Sequence, residues 1–170
     1  MKYPGQGDMM IKVLGIDPGL ADTGIGIISG RGHAIEAYSF GCISTSREDA
    51  LACRLNHIFS KLASLLETES PDVVVVEDVF SLPAYPASGI TLGQVTGIAL
   101  LAAYRAEVQV RRLSVREAKQ IMTGHGNAGK KQLEASVRRL LKHNAPIRPD
   151  HASDALALAI TGLFRYDRLP

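Results

Sequence analysis

Cysteine is nearly missing from this chain of 170 residues, occurring only as Cys42 and Cys53. Neither belongs to a CxxC pair or a His-rich cluster, which argues against a zinc site and reads as two reduced, structural thiols in a cytosolic protein. An uninterrupted apolar run long enough for a membrane is also missing. The richest stretch, SGITLGQVTGIALLAAY from Ser88 to Tyr104, is broken by Gln94, Ser and Thr, and is expected to be a helix of a soluble protein rather than a bilayer span. The first nine residues, MKYPGQGDM, lack the apolar core of a signal peptide and read as a loose leader. Residues 10–170 are then expected to form one domain, because the chain leaves no room for a second full one. Repeats and low-complexity stretches do not occur.

The net charge is only +2, but its distribution is uneven. Residues 1–104 hold 6 Lys/Arg against 11 Asp/Glu, and residues 105–170 hold 13 against 6, so the two parts carry −5 and +7. A basic C-terminal part beside an acidic N-terminal part suits a polyanion gripped by the former and cut near the latter.

Hydrophobic periodicity predicts the element order βββαβαβααα. Residues 11–16, 22–29 and 33–43 carry β-branched residues between Gly punctuation and predict three strands joined by tight turns. Leu51, Leu55, Ile58, Leu62 and Leu65 recur at helical spacing until Pro71 ends the pattern. Val73 to Val76 predict a strand buried on both faces, as in a sheet covered by helices. A loop over 81–88 precedes helix 88–104, a short strand near 107–112 follows, and Ser114 with Glu117 forms a capping box for the next helix. Asn127 is expected to cap a helix whose Leu133, Val137, Leu140 and Leu141 face inward, and a last apolar helix follows Pro149.

Asp17, Glu77, His151 and Asp154 are far apart in sequence, yet each falls where an element ends or begins. Asp17 closes a buried strand before the Gly19 turn, although an Asp before Gly is often only a turn residue. Glu77 directly follows four valines, where an unpartnered charge would cost several kcal/mol. Its neighbour Asp78 should point to the opposite face by strand alternation. His151 and Asp154 are spaced i, i+3 and share a helix face, which Asp150 could also join; helix capping by Asp150 or His151 is the structural alternative. Hard carboxylate oxygens with one imidazole favour Mg²⁺, with Mn²⁺ as a substitute, over a thiolate metal. Two bridged ions would suit in-line phosphodiester hydrolysis.

Five phrases in this order, GIDPGLADTGIG, VVVEDVF, TLGQVTGIAL, REAKQIMTGHGNAGKKQ and DHASDALALAI, resemble the RuvC family of bacterial Holliday junction resolvases over roughly residues 10–165. The resemblance implies an α/β, ribonuclease H-like fold with a mixed five-stranded sheet flanked by helices. It also implies a homodimer, Mg²⁺, a branch-migration helicase partner, and paired symmetric nicking of four-way DNA junctions in recombination and repair. Asp17, Glu77 and Asp154 match its acidic catalytic residues. His151 falls where many members carry a fourth Asp and some a His, and as a ligand it should make activity fall when the imidazole protonates below about pH 6.5. Phe80 matches an aromatic that contacts unstacked junction bases. Lys119 and Lys130 match lysines near the scissile phosphate, while Lys131, Arg111, Arg112, Arg138 and Arg139 are general phosphate candidates. Gly89, Gly93 and Gly97 line one helix face that the resemblance sets near the dimer interface, though packing on the chain's own sheet fits equally.

Two other functions compete with this reading. A phosphate-binding ATPase of the actin and sugar-kinase type is suggested by DPGLADTGIG but needs a duplicated domain. The other is a non-cleaving junction-binding module or a related nuclease with another substrate, which the intact acidic set and the Phe80 phrase disfavour.

Overall fold

The computed structural model describes residues 9–78 and 86–166. Its strands are β1 (Ile11–Asp17), β2 (Asp22–Arg31), β3 (Ala34–Ser44), β4 (Val73–Glu77) and β5 (Gln109–Leu113). Its helices are α1 (Leu51–Glu69), α2 (Pro86–Arg105), α3 (Val115–Thr123), α4 (Lys130–Leu141) and α5 (Asp150–Phe164), so the order matches the one expected from periodicity. Phe80, most of the leader and most of the 81–88 loop lie outside the described residues.

The sheet is mixed, in the order β3-β2-β1-β4-β5. The first three strands form an antiparallel meander, and β4 is parallel to both β1 and β5. Burial on both faces explains the valine run: Val73 and Val75 pack towards α3, α4 and α5, whereas Val74 and Val76 pack towards α1 and α2. Alternation along β4 therefore feeds two cores at once.

Helix α5 is the element that the sheet holds most closely. A Cβ built at Gly15 would lie 2.1 Å from the Ala155 carbonyl oxygen, one at Gly24 2.0 Å from that of His151, and one at Gly26 2.5 Å from the Leu156 nitrogen. These contacts are with backbone, which cannot swing aside. Three strand glycines thus let the helix lie directly on β1 and β2, a close approach that side chains would prevent.

Several local expectations are corrected. The buried stripe of α1 runs through Ile58, Leu62 and Leu66, while Leu51 is exposed. Helix α4 starts two residues later than Asn127 would allow: Gly129 occupies the N-cap, and its N–H donates to Gln132 Oε1 at 2.9 Å. On the same helix Leu140 is exposed and Ser136 is buried. Cys53 is exposed on α1, so it has no core role, and the Cys42 thiol donates weakly to Asp22 Oδ1 at 3.7 Å. Helix α2 extends beyond the apolar run at both ends and is long and apolar enough to cross a bilayer by length and composition alone, a test that the core helix of a soluble protein also passes. Its inner face, with Val95, Ala99, Ala102 and Ala103, packs in the core with α1 and the sheet. The Ser114–Glu117 capping box of α3 is present as expected.

Candidate active site

Asp17 is the last residue of β1 and Glu77 the last of β4. The two strands are parallel and pair through Ile16–Val76, so the carboxylates stand one step beyond that pair on the α5 side of the sheet. Asp78 begins the next turn, where its N–H donates to the Leu113 carbonyl and its carboxylate pairs with Arg112 at 2.8 Å. Strand alternation therefore sends only Glu77 to the cleft. From the other side, α5 brings His151 and Asp154, held in position by the close seating of His151 against Gly24.

All four side chains line one cleft of about 290 Å³, together with Pro18, Leu92, Val115, Lys119 and Lys130. His151 Nδ1 donates to Asp17 Oδ2 at 2.6 Å, and Asp17 is only 5% exposed. Glu77 is pushed up to about 8 by burial, by its hydrogen bond with Asp17 and by the charges of Asp17 and Asp154. Asp154 is pushed up to about 6, first by burial and then by Asp17, with Lys130 opposing. The Asp17 hydrogen bond raises His151 above the ordinary imidazole value despite an opposing effect of burial. Protonation of His151 thus begins at a higher pH than the 6.5 expected from sequence.

Among the described residues, no three His, Cys, Asp or Glu side chains stand in the mutual geometry of an ion cage. Asp17 instead directs its oxygens to His151 and Glu77. The donor chemistry nevertheless fits a divalent cation. Carboxyls raised by burial and by one another carry a repulsion that a cation between them would relieve, and carboxylate oxygen with imidazole suits Mg²⁺ or Mn²⁺. Asp17, Glu77, His151 and Asp154 are the residues able to hold it.

Of the basic candidates, Lys119 and Lys130 line the cleft, and both act electrostatically on Asp154. Lys131 lines the neighbouring pocket. Arg111 and Arg112 lie on β5 and do not line the cleft, and Arg112 is engaged by Asp78. Asp150, the alternative partner for the acidic set, instead pairs with Arg148. Sequence reasoning missed Pro18, Leu92 and Val115 as walls. Val115 carried a signal, since it follows the N-cap of the helix that bears Lys119, whereas Leu92 was indistinguishable from core.

Comparison with known proteins follows the same lines. A family model described as crossover junction endodeoxyribonuclease RuvC matches residues 13–162. A crossover junction endodeoxyribonuclease RuvC of Rubrobacter xylanophilus is 38% identical over 154 residues, covering 91% of this chain and 86% of the relative. One of Brevibacillus brevis is 37% identical over 151 residues, covering 89% and 90%. Among solved structures, T. thermophilus RuvC in complex with a Holliday junction substrate superposes with a TM-score of 0.85 and 31% identity, covering 93% of this chain and 95% of that one. The fold is ribonuclease H-like.

Proposed function

The chain belongs to the RuvC family of crossover junction endodeoxyribonucleases and is a Holliday junction-resolving endonuclease, and from that premise we propose that Asp17, Glu77, His151 and Asp154 form its catalytic metal centre. The observation that carries this reading is their convergence, from three distant segments, on one cleft that also holds Lys119 and Lys130. The family is metal-dependent; Mg²⁺, two ions per site, is the cofactor we propose, with Mn²⁺ as a substitute. When bound, such ions supply Lewis-acid polarisation of the scissile phosphate and an acidified water nucleophile.

The chain's own residues do the rest. Asp17, at the shared end of β1 beside β4, is the central carboxylate, with Glu77 on one side and His151 on the other. His151 orients it through Nδ1–H. Asp154 closes the acidic set from the helix, one turn after His151. Lys119 and Lys130 hold the non-bridging oxygens of the strand and offset charge that grows as the phosphorus is attacked. The rigid strand ends and the seated helix fix these groups before the substrate arrives.

The proposed assembly is a homodimer through α2. Its outer face carries Ile90 at 66% exposure, Leu101 at 48% and Tyr104 at 80%, and a Cβ at Gly93 or Gly97 would meet nothing within 4 Å. An apolar stripe with small residues at its centre suits close packing of a second α2 by two-fold symmetry. Two such sites would nick two strands of one junction in a pair. Residues 10–170 then act as one nuclease domain in the bacterial cytoplasm, on DNA and away from any membrane, and likeness to the family supports a branch-migration helicase as a further partner.

The test is a synthetic mobile four-way junction with Mg²⁺ or Mn²⁺. Paired nicks with ligatable ends are expected, and equal cutting of linear duplex would refute the resolvase reading.

A further inference from the structure

Beyond Ile16–Val76 the strands β1 and β4 no longer pair. Asp17 is registered against Gly24 of β2 instead, and Glu77 against Leu113 of β5. The spacing of these two carboxyls is therefore set by their outer neighbours and not by a ladder between them. On the β5 side the end of β4 is fastened through the residue that follows Glu77. The Asp78 N–H donates to the Leu113 carbonyl at 2.8 Å, and the Asp78 carboxylate pairs with Arg112 at 2.8 Å. Arg112 stands opposite Val76 in the register, so the ion pair runs diagonally across β4 and β5.

This pair lies on the face of the sheet turned away from the cleft. Val110, two residues before Arg112 on β5, packs in the core with α1 and α2, whereas Leu113 packs in the core with α5. Neither Asp78 nor Arg112 lines the cleft. Unless it touches DNA itself, the pair can act on cleavage only through Glu77, whose carboxyl is repelled by that of Asp17 when both are ionised. Arg112 is 52% exposed and Asp78 33%, and an ion pair so open to water contributes little to folding. Its consequence is local: it fixes the direction of the backbone at the strand end.

We infer that Arg112 is a positioning residue, which through its ion pair with Asp78 holds the end of β4 so that Glu77 faces Asp17 at the spacing a divalent cation requires. The inference rests on the reading of Glu77 as a metal ligand. It also gives Arg112 a different task from the phosphate contact expected of it in the sequence, because its charge is turned to a carboxylate on the far side of the sheet.

The test compares the full-length wild type with Arg112→Ala, Asp78→Ala and the double variant, and uses Glu77→Gln as a reference. Mn²⁺ binding is measured by calorimetry without DNA, nicking of the four-way junction in single turnover, and junction affinity by gel shift over a range of salt concentrations. Each alanine variant should weaken Mn²⁺ binding and slow nicking at saturating junction by between about 10- and 100-fold, the range for groups that orient a metal ligand. The double variant should be no worse than either single one, since both remove the same contact. Arg112→Lys keeps the charge and should recover most of the loss. Junction affinity, its salt dependence and the melting temperature should stay close to those of the wild type. The inference is overturned if Asp78→Ala behaves as the wild type or if the two losses add. It is also overturned if Arg112→Ala lowers the slope of log affinity against log salt by about one, which is the mark of a lost phosphate contact. Impairment of Glu77→Gln with both pair variants unaffected would remove the positioning role alone, whereas wild-type Mn²⁺ binding by Glu77→Gln would refute the metal centre and this inference with it.

Discussion

His151 Nδ1 stands 2.6 Å from Asp17 Oδ2, joining the first turn of α5 to the end of β1 across 134 positions of sequence. The bond exists because Gly24 lets the His151 backbone touch the sheet. The contact sets the position of His151 and raises its proton affinity, whereas burial is the first cause of the raised Glu77 and Asp154 values.

Replacing Asp17 removes the carboxylate that Glu77, His151 and Asp154 all respond to. Asp17→Asn should lower junction cleavage by at least on the order of a hundredfold, the scale seen when one group that stabilises developing charge is lost. Binding of the four-way junction in a gel-shift assay should persist, because the basic groups are untouched. Loss of binding together with cleavage would count against a catalytic role.

Stability should fall as pH rises when chelator is present. Glu77 and Asp154 have folded values above their ordinary ones, about 8 and about 6. Between the unfolded and folded values the native state therefore binds more protons than the unfolded one, which makes stability decrease with pH. His151 is raised too, so the stability from its Asp17 bond is complete below its ordinary value and is lost as pH rises through its folded one. All three slopes have the same sign. In EDTA the melting temperature should drop from pH 5 to pH 8, and millimolar Mg²⁺ or Mn²⁺ should raise it most at the alkaline end. A flat profile with no effect of ions would sink the proposed centre.

His151→Ala should raise the Mn²⁺ or Mg²⁺ concentration needed for half-maximal cleavage by about 10- to 100-fold. His151→Asp adds a negative oxygen ligand in place of a neutral ring and should lower the Mg²⁺ requirement relative to the alanine variant. Metal titrations of the nicking rate measure both. An unchanged requirement in the alanine variant would remove His151 from the ligand set.

Gly24→Ala adds a methyl group where the His151 carbonyl oxygen stands 2.0 Å away. Overpacking against backbone should cost about 1 to 3 kcal/mol, read as a lower urea midpoint with an unchanged slope. Cleavage should fall further than stability explains, because the displaced helix carries both His151 and Asp154.

Charging the outer face of α2 should separate the protomers. Leu101→Glu together with Ile90→Glu alters exposed positions, so the melting temperature of the subunit should change little. Sedimentation should then report a monomer, and nicks should no longer be paired. A monomeric wild type at micromolar concentration would refute the proposed interface.

Much of this architecture was legible in the chain because its signals are local. Four valines followed by Glu77 announce a strand buried on both faces with a charge at its end, and the i, i+3 spacing of His151 and Asp154 puts them on one helix face. The phase of an exposed helix was less legible. Leu51 and Leu140 fit the apolar period of α1 and α4 but remain exposed, while the buried stripes run through Ile58, Leu62 and Leu66 and through Leu133, Val137 and Leu141. Asn127 is a good capping residue in principle, but the turn through Ala128 places Gly129 at the helix start, with Gln132 reaching back to it.

The sequence by itself determined the order of elements, the four residues proposed for the site and, through five ordered motifs, the family. Those properties depend on periodicity, turn chemistry and residue type, which are encoded within short windows. Only the tertiary structure decided that His151 bonds Asp17 and that Asp150 and Arg112 are engaged elsewhere. Each is a contact between distant or differently oriented groups, set by how closely α5 approaches β1 and β2. That approach is governed by Gly15, Gly24 and Gly26, which in the sequence look like ordinary strand punctuation and reveal their role only when a helix backbone is found against them.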